Sequence, residues 1–128
     1  MGNEFEKYFV EETLIDFEID GMTFKYKPIT ADDELDWTPE YIEEVASEGG
    51  IMRVPNLKKL TKCQLRSIKE VPFPKEIVKK FTGIDKEFKD LNDQEKDIFW
   101  GKTDPGFLDK VIRKVKELRN SNEELKKN

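Results

Sequence analysis

Apolar and polar positions alternate with a period of two between residues 15 and 26, interrupted only by Asp20-Gly21. Pairing across that turn sets Ile19 opposite Met22, Phe17 opposite Phe24 and Ile15 opposite Tyr26. Glu18 then falls opposite Thr23, and Asp16 opposite Lys25. One register thus yields an apolar face, a polar face and a cross-strand ion pair. Asp-Gly also supplies the positive φ that a tight hairpin turn needs at both central positions. A lone hairpin is marginal in water, so its apolar face must lie against helices or further strands. Ahead of it, Phe5, Tyr8, Phe9 and Val10 suit either an added strand or a short helix.

Downstream the period changes. Pro28 closes the second strand, and Thr30 with Asp33 three residues on forms a capping-box pattern that opens a helix. Thr38-Pro39 predicts a further helix through "EYIEEVAS", stopping at Gly49-Gly50, and "IMRVP" suits a short strand. In "LTKCQLRSIKEV", Thr61 and Gln64 have cap spacing, with Leu65, Ile68 and Val71 at helical intervals behind them. "VPFPKEIVKKFTG" predicts a proline-bounded helix closed by Gly83, and "NDQEKDIFWG" one capped by Asn92 and Glu95 and ended by Gly101.

The last helix is the clearest. Asp104 caps it, Pro105 starts it, and Phe107, Leu108, Val111, Ile112, Val115 and Leu118 form one apolar stripe. Lys110, Arg113, Lys114, Lys116 and Arg119 fall largely on the remaining surface. The whole pattern predicts one α+β domain over residues 1–120. An N-terminal β-hairpin, or a small antiparallel sheet, packs against several short helices and a long C-terminal amphipathic helix. Residues 121–128 form a polar tail expected to fray.

Composition changes this picture little. Of the 128 residues 40% are charged and only 36% hydrophobic, yet nine Phe, three Tyr and two Trp supply large core side chains, so a folded domain is expected. Charge distribution says more. Residues 1–50 hold fifteen acidic residues against three basic ones, whereas residues 51–128 hold thirteen against twenty. Such a split points either to a charged partner or to pairing of front and rear within the fold or a homo-oligomer. The single Cys63 excludes an intramolecular disulfide and fits a reducing compartment. No apolar run approaches the ~20 residues of a membrane span, and "MGNEFE" lacks the features of a signal segment or a myristoylation site. The expected location is the cytoplasm.

Histidine is absent, which removes Ser-His-Asp and Cys-His chemistry and histidine zinc sites. No phosphate-binding glycine loop is present, and one cysteine makes neither a zinc cluster nor a redox pair. Asp32, Asp33 and Asp36 could present carboxylates to a hard cation, but acids in a first helical turn are the commoner reason for such a run. "DKEFKDLNDQEKD" lacks the glycine and oxygen alternation of a calcium loop. No catalytic residue, metal or cofactor is therefore expected. Lys58, Lys59, Lys62, Arg66 and Lys69 read as basic positions on one helix, and the final helix adds another basic group. This rear charge is the only support for nucleic-acid binding, which four arginines and interspersed acids make the weaker reading. Trp37, Tyr41, Phe73, Phe99 and Trp100 lie near element ends and are the candidates for contact with a protein partner. For most of them, plugging joints between short helices in a small core is the commoner role.

At "FEIDGMTFKYKPITADDELDW", residues 17–37, the chain resembles the opening of tail assembly chaperones, small proteins of tailed phages and related proviruses. Phe17, Ile19, Gly21, Phe24, Lys27, Pro28, Ile29 and Thr30 occupy the places of that pattern. The resemblance implies a non-enzymatic assembly factor, without a cofactor, that binds a tape-measure or tail-tube protein and is absent from the finished particle. Its apolar surface would cover apolar helical stretches of the partner, and homo-oligomers would multiply weak contacts. Two other readings suit a chain of this kind: a structural subunit of a virus-like particle, at a tail end or connector, and a nucleic-acid-binding regulator.

Overall fold

The computed structural model describes the backbone of residues 5–127 and the side chains of residues 5–120. Its foundation is the hairpin of β1 (Ile15–Ile19) and β2 (Met22–Tyr26), paired in the register expected from the alternation. Asp20 and Gly21 take φ of 53° and 79°, the positive values a two-residue turn requires. Phe17, Ile19, Phe24 and Tyr26 are buried on one face, with the Phe17 and Phe24 rings stacked at 5.4 Å. The charged face differs from expectation. Lys25 reaches Glu70 at 3.8 Å rather than Asp16, because a third strand lies along β2.

That third strand is β5 (Ile68–Glu70), antiparallel to β2, giving the order β1-β2-β5. Ahead of the sheet, the undecided segment forms a single 3-10 turn over Glu6–Tyr8 and then runs unpaired toward β1. Helix α1 (Ala31–Tyr41) starts with the expected capping box. Asp33 N–H donates to Thr30 Oγ1 at 3.2 Å, and Thr30 N–H donates to Asp33 Oδ2 at 3.0 Å.

The helix expected from Thr38-Pro39 does not form. Pro39 sits in the last turn of α1, where its missing N–H forfeits one backbone hydrogen bond. "EYIEEVAS" instead leaves the helix as β3 (Ile42–Ser47) and pairs with β4 (Gly50–Pro55), which includes the strand expected at "IMRVP". Gly49-Gly50, read as a helix stop, belongs to a hairpin turn in which Gly50 has φ 122°. Val45, Ile51 and Met52 of this second hairpin are exposed.

Helix α2 (Leu57–Leu65) begins earlier than Thr61 suggested. Asn56 caps it by accepting from Lys59 N–H at 3.1 Å. It also ends earlier: Ile68, spaced for the same helical face, lies in β5 because the open edge of β2 recruits those residues. Helix α3 (Lys75–Thr82) follows Pro74 and stops at Gly83, φ 76°; α4 (Asp93–Gly101) opens with the Asn92–Glu95 capping box. Helix α5 (Pro105–Lys127) is held at its start by Asp104, which accepts from Phe107 N–H at 3.1 Å. It continues through the segment expected to fray, as far as Lys127.

The sheet's apolar face, Val78 of α3, Phe99 and Trp100 of α4 and Val111 and Val115 of α5 form one core, joined by Leu65, Phe88 and Leu91. The fold is α+β. Ion pairs also tie the acidic front to the basic rear: Asp20 to Lys110 at 3.0 Å, Glu43 to Lys59 at 2.9 Å, and Glu34 to Arg119. Arg66 is the central case. Its buried guanidinium donates to both Glu40 oxygens at 2.7 and 3.0 Å, and to Asp97 Oδ2 at 2.9 Å.

These hydrogen bonds hold the Glu40 carboxyl below its ordinary range. A depressed folded pKa contributes stability above the unfolded carboxylate value of about 4.3 and loses it as pH falls through the lower folded value. Arg66→Ala removes the shared donor and strands Asp97. Urea titration at pH 7 should show a loss of about 2–4 kcal/mol, below the full buried-pair range because Glu40 is half exposed. The acid limb of the variant's stability profile should lack the Glu40 contribution.

Candidate functional site

Helix α3 carries more apolar surface than its packing uses. Val78 points into the core and is fully buried, whereas Ile77 and Phe81, four residues apart on an adjoining face, remain 38% and 55% exposed. They form one wall of an open groove of about 410 Å³. Its floor is Phe73, Phe99 and Phe107, with Met22 from the start of β2, and Lys102, Thr103 and Asp104 stand at the rim.

Each side chain is positioned by the sequence around it. Pro74 and Gly83 bracket α3 and fix its two turns. Phe73 is locked by ring contacts to Phe24, Phe99 and Phe107 at 6.0, 6.1 and 6.0 Å. The rim loop is tied down by Thr103, whose hydroxyl donates to the Trp100 carbonyl at 2.7 Å, and by Asp104, occupied with capping α5. Lys80 Nζ lies 5.4 Å from the Phe81 ring centroid. Apolar side chains make up the walls and floor of the groove, an arrangement that can shelter apolar groups.

The five aromatic candidates separate. Phe73 and Phe99 belong to the groove. Trp37 and Tyr41 line a smaller depression between α1 and α2, beside Leu60, Gln64 and Arg119. Trp100 is buried in the core and offers no surface. Sequence reasoning missed Met22, Ile77, Phe81 and Phe107 as groove residues. The available signal was three apolar residues, Ile77, Val78 and Phe81, on a helix of eight, which is a wider apolar arc than one contact needs.

The basic positions Lys58 to Lys69 do not share a helix. Lys58, Lys59 and Lys62 are on α2, Arg66 turns inward at its C-terminal cap, and Lys69 lies on β5. Burial would raise the Asp33 carboxyl, but hydrogen bonds from Thr30 and the nearby Lys27 ammonium more than offset it, leaving the group below its ordinary value. Among the described residues no cluster of acids or Cys63 is arranged to hold a metal ion, and no helix is long and apolar enough to cross a membrane. Comparison of the chain with protein-family models, curated proteins and solved structures returned no match.

Two buried groups outside the groove give simple tests. Burial pushes the Cys63 thiol up, and its side chain is almost wholly enclosed. A thiol reagent at neutral pH should label Cys63 only at the rate of opening, with labelling accelerating in urea as the chain unfolds. Lys96 is buried with its ammonium 5.5 Å from the Phe88 centroid, and burial, then Lys69, push its pKa down. The unfolded chain therefore binds the extra proton between the folded and ordinary lysine values, so the Lys96 contribution to stability rises with pH there. Lys96→Met should raise the urea midpoint at pH 7 and flatten the difference between pH 8 and pH 10.

Proposed function

We propose that the protein is a non-enzymatic interaction factor whose groove receives apolar side chains from a helical segment of a protein partner. The observation that carries this reading is the exposure of Ile77 and Phe81 over a floor of three phenylalanines. An amphipathic helix presents apolar residues at i, i+3 or i+4, and i+7, which is the chemistry such a groove accepts. Together with the resemblance at residues 17–37, this favours a tail assembly chaperone acting in the cytoplasm on a tape-measure or tail-tube protein. The residues of that resemblance form the hairpin on which the groove rests: Phe24 touches Phe73 and Phe107, and Met22 lines the floor.

The basic surface lends less to nucleic-acid binding than its sequence promised. Lys110, Arg113 and Lys114 on α5 are matched with Asp20, Asp109 and Glu117 at 3.0, 3.0 and 3.5 Å. The particle-subunit reading differs by its fate, since a structural subunit stays in purified particles and a chaperone leaves.

Fully burying a large apolar side chain contributes about 1.5–3 kcal/mol, before ordering costs are deducted. A synthetic 20-residue amphipathic helix with leucines at i, i+3, i+4 and i+7 is therefore expected to bind, measured by calorimetry. Phe81→Asp should weaken that binding by roughly thirtyfold or more, about 2 kcal/mol, while leaving the far-UV spectrum unchanged. Raising salt should alter it little. Equal binding by wild type and variant, or none by either, would defeat the proposal.

A further inference from the structure

We infer that the groove of one copy also receives the aromatic segment ahead of β1 from a second copy, so that the chain associates head to tail. This rests on the groove being a docking site for apolar side chains, and it names a specific occupant. Phe5, Tyr8 and Phe9 are 63%, 72% and 73% exposed, three large apolar side chains within five residues around one 3-10 turn. Groove and segment are thus two concentrated apolar surfaces among the described residues, one concave and one projecting.

The segment is held away from its own groove. Val10 lies in a cleft with Ile29 and Leu118, and Glu12 pairs with Lys27 at 3.0 Å, both at the end of the sheet opposite the Asp20-Gly21 turn. The groove is at the turn end, where Met22 and Phe107 lie. Phe107 and Leu118 are separated by about 16 Å of helix axis at 1.5 Å per residue. The rings point into solvent at one end of the molecule while the groove opens at the other, an arrangement suited to a neighbour.

Charge favours the same occupant. The segment carries Glu6 and Glu11 against Lys7, in the acidic front half. Helix α3, beside the groove, carries Lys75, Lys79 and Lys80 against Glu76, and the rim carries Lys102 with Asp104. Asp85 answers Lys75 and Lys79 at 3.4 and 3.9 Å, and Lys80 and Lys102 stand outside those pairs. Four lysines against Glu76, Asp85 and Asp104 leave a small basic surplus, so an acidic aromatic segment suits this groove better than a basic one.

Because donor and acceptor surfaces differ, the contact is heterologous and builds a ring or an open chain rather than an isologous dimer. Three partly exposed aromatics on one side correspond to about 800 Å² of total buried area, below a standard stable interface. Association is thus weak and concentration-dependent. It also covers the groove and the aromatic segment together until a partner helix competes for the groove.

Sedimentation equilibrium of the full chain between 10 μM and 1 mM, on the order set by such a small interface, tests this. Wild type should rise in mean mass past the dimer. Phe81→Asp, and a triple variant with Phe5→Ser, Tyr8→Ser and Phe9→Ser, should each remain monomeric. Mixed one to one, the two variants should form a heterodimer and nothing larger, because one intact segment and one intact groove remain between them. A second readout does not depend on Phe81→Asp folding: amides of Ile77 and Phe81 in the labelled triple variant should shift on adding unlabelled wild type. A monomeric wild type at 1 mM, continued association of either variant, or an unpaired mixture overturns the inference. If the monomeric triple variant still binds the amphipathic peptide, the groove reading survives that loss; if neither peptide nor second copy binds, the groove reading itself falls.

Discussion

Phe24 is wholly buried, stacked on Phe17 across the hairpin and met from the other side by Phe73 and Phe107. Two strands of five residues do not hold themselves in water, so this covered apolar face is the condition for the rest of the structure. The other elements can be understood by how they meet that condition. β5 widens the sheet and delivers Ile68, α5 lays Val111 and Val115 into the core, and Phe88, Phe99 and Trp100 meet edge-on at 5.0 to 5.9 Å. Burial of one such ring is worth about 1.5–3 kcal/mol and an aromatic pair about 0.5–1.5 more. Against a net stability of about 5–15 kcal/mol for a domain, a few of these contacts decide whether the chain folds.

Electrostatics acts on top of that packing and explains the uneven charge. The acidic front and basic rear meet within one molecule, through Asp20 with Lys110, Glu34 with Arg119, Glu43 with Lys59 and Glu40 with Arg66. Most of these pairs are solvent-exposed and individually worth under about 1 kcal/mol. Arg66 differs because its guanidinium is enclosed and its fork joins α1 to α4 through Glu40 and Asp97. The exposed pairs set which ends lie near each other; the buried one fixes a register between helices.

Where local chemistry determined the backbone, the sequence was readable. The 15–26 register followed from alternation and Asp-Gly, α4 from its capping box, α3 from its proline start and glycine stop, and α5 from its aspartyl cap and proline. Misreadings arose where a distant partner decided. "EYIEEVAS" has enough Glu and Ala to suit a helix, yet pairing with "GIMRVP" across Glu48-Gly49 prevails. Ile68 keeps its helical spacing from Leu65 but is captured by the free edge of β2. The same reason limited the site. Phe73 and Phe99 could be picked as aromatics near element ends, but a groove made from α3, the α4–α5 loop and Met22 exists only once those elements are assembled. Trp37 and Tyr41 fell on the other side of the molecule for a similar reason, since α1 packs on α2.

The apolar residues left over after folding are the ones that call for an external cause. Val78 alone anchors α3 to the core, so leucine-like bulk at Ile77 and Phe81 adds little to internal packing and leaves hydrocarbon in water. Polar residues there would keep α3 amphipathic and make the free protein more soluble. The same holds for Val45, Ile51 and Met52, on a hairpin that has its main contacts within itself. A fold that already satisfies its core gains nothing from these side chains until a second surface covers them. Single exposed apolar residues are ordinary, but Ile77 and Phe81 sit together beside a preformed phenylalanine floor, and the proposed docking of an apolar segment would cover them.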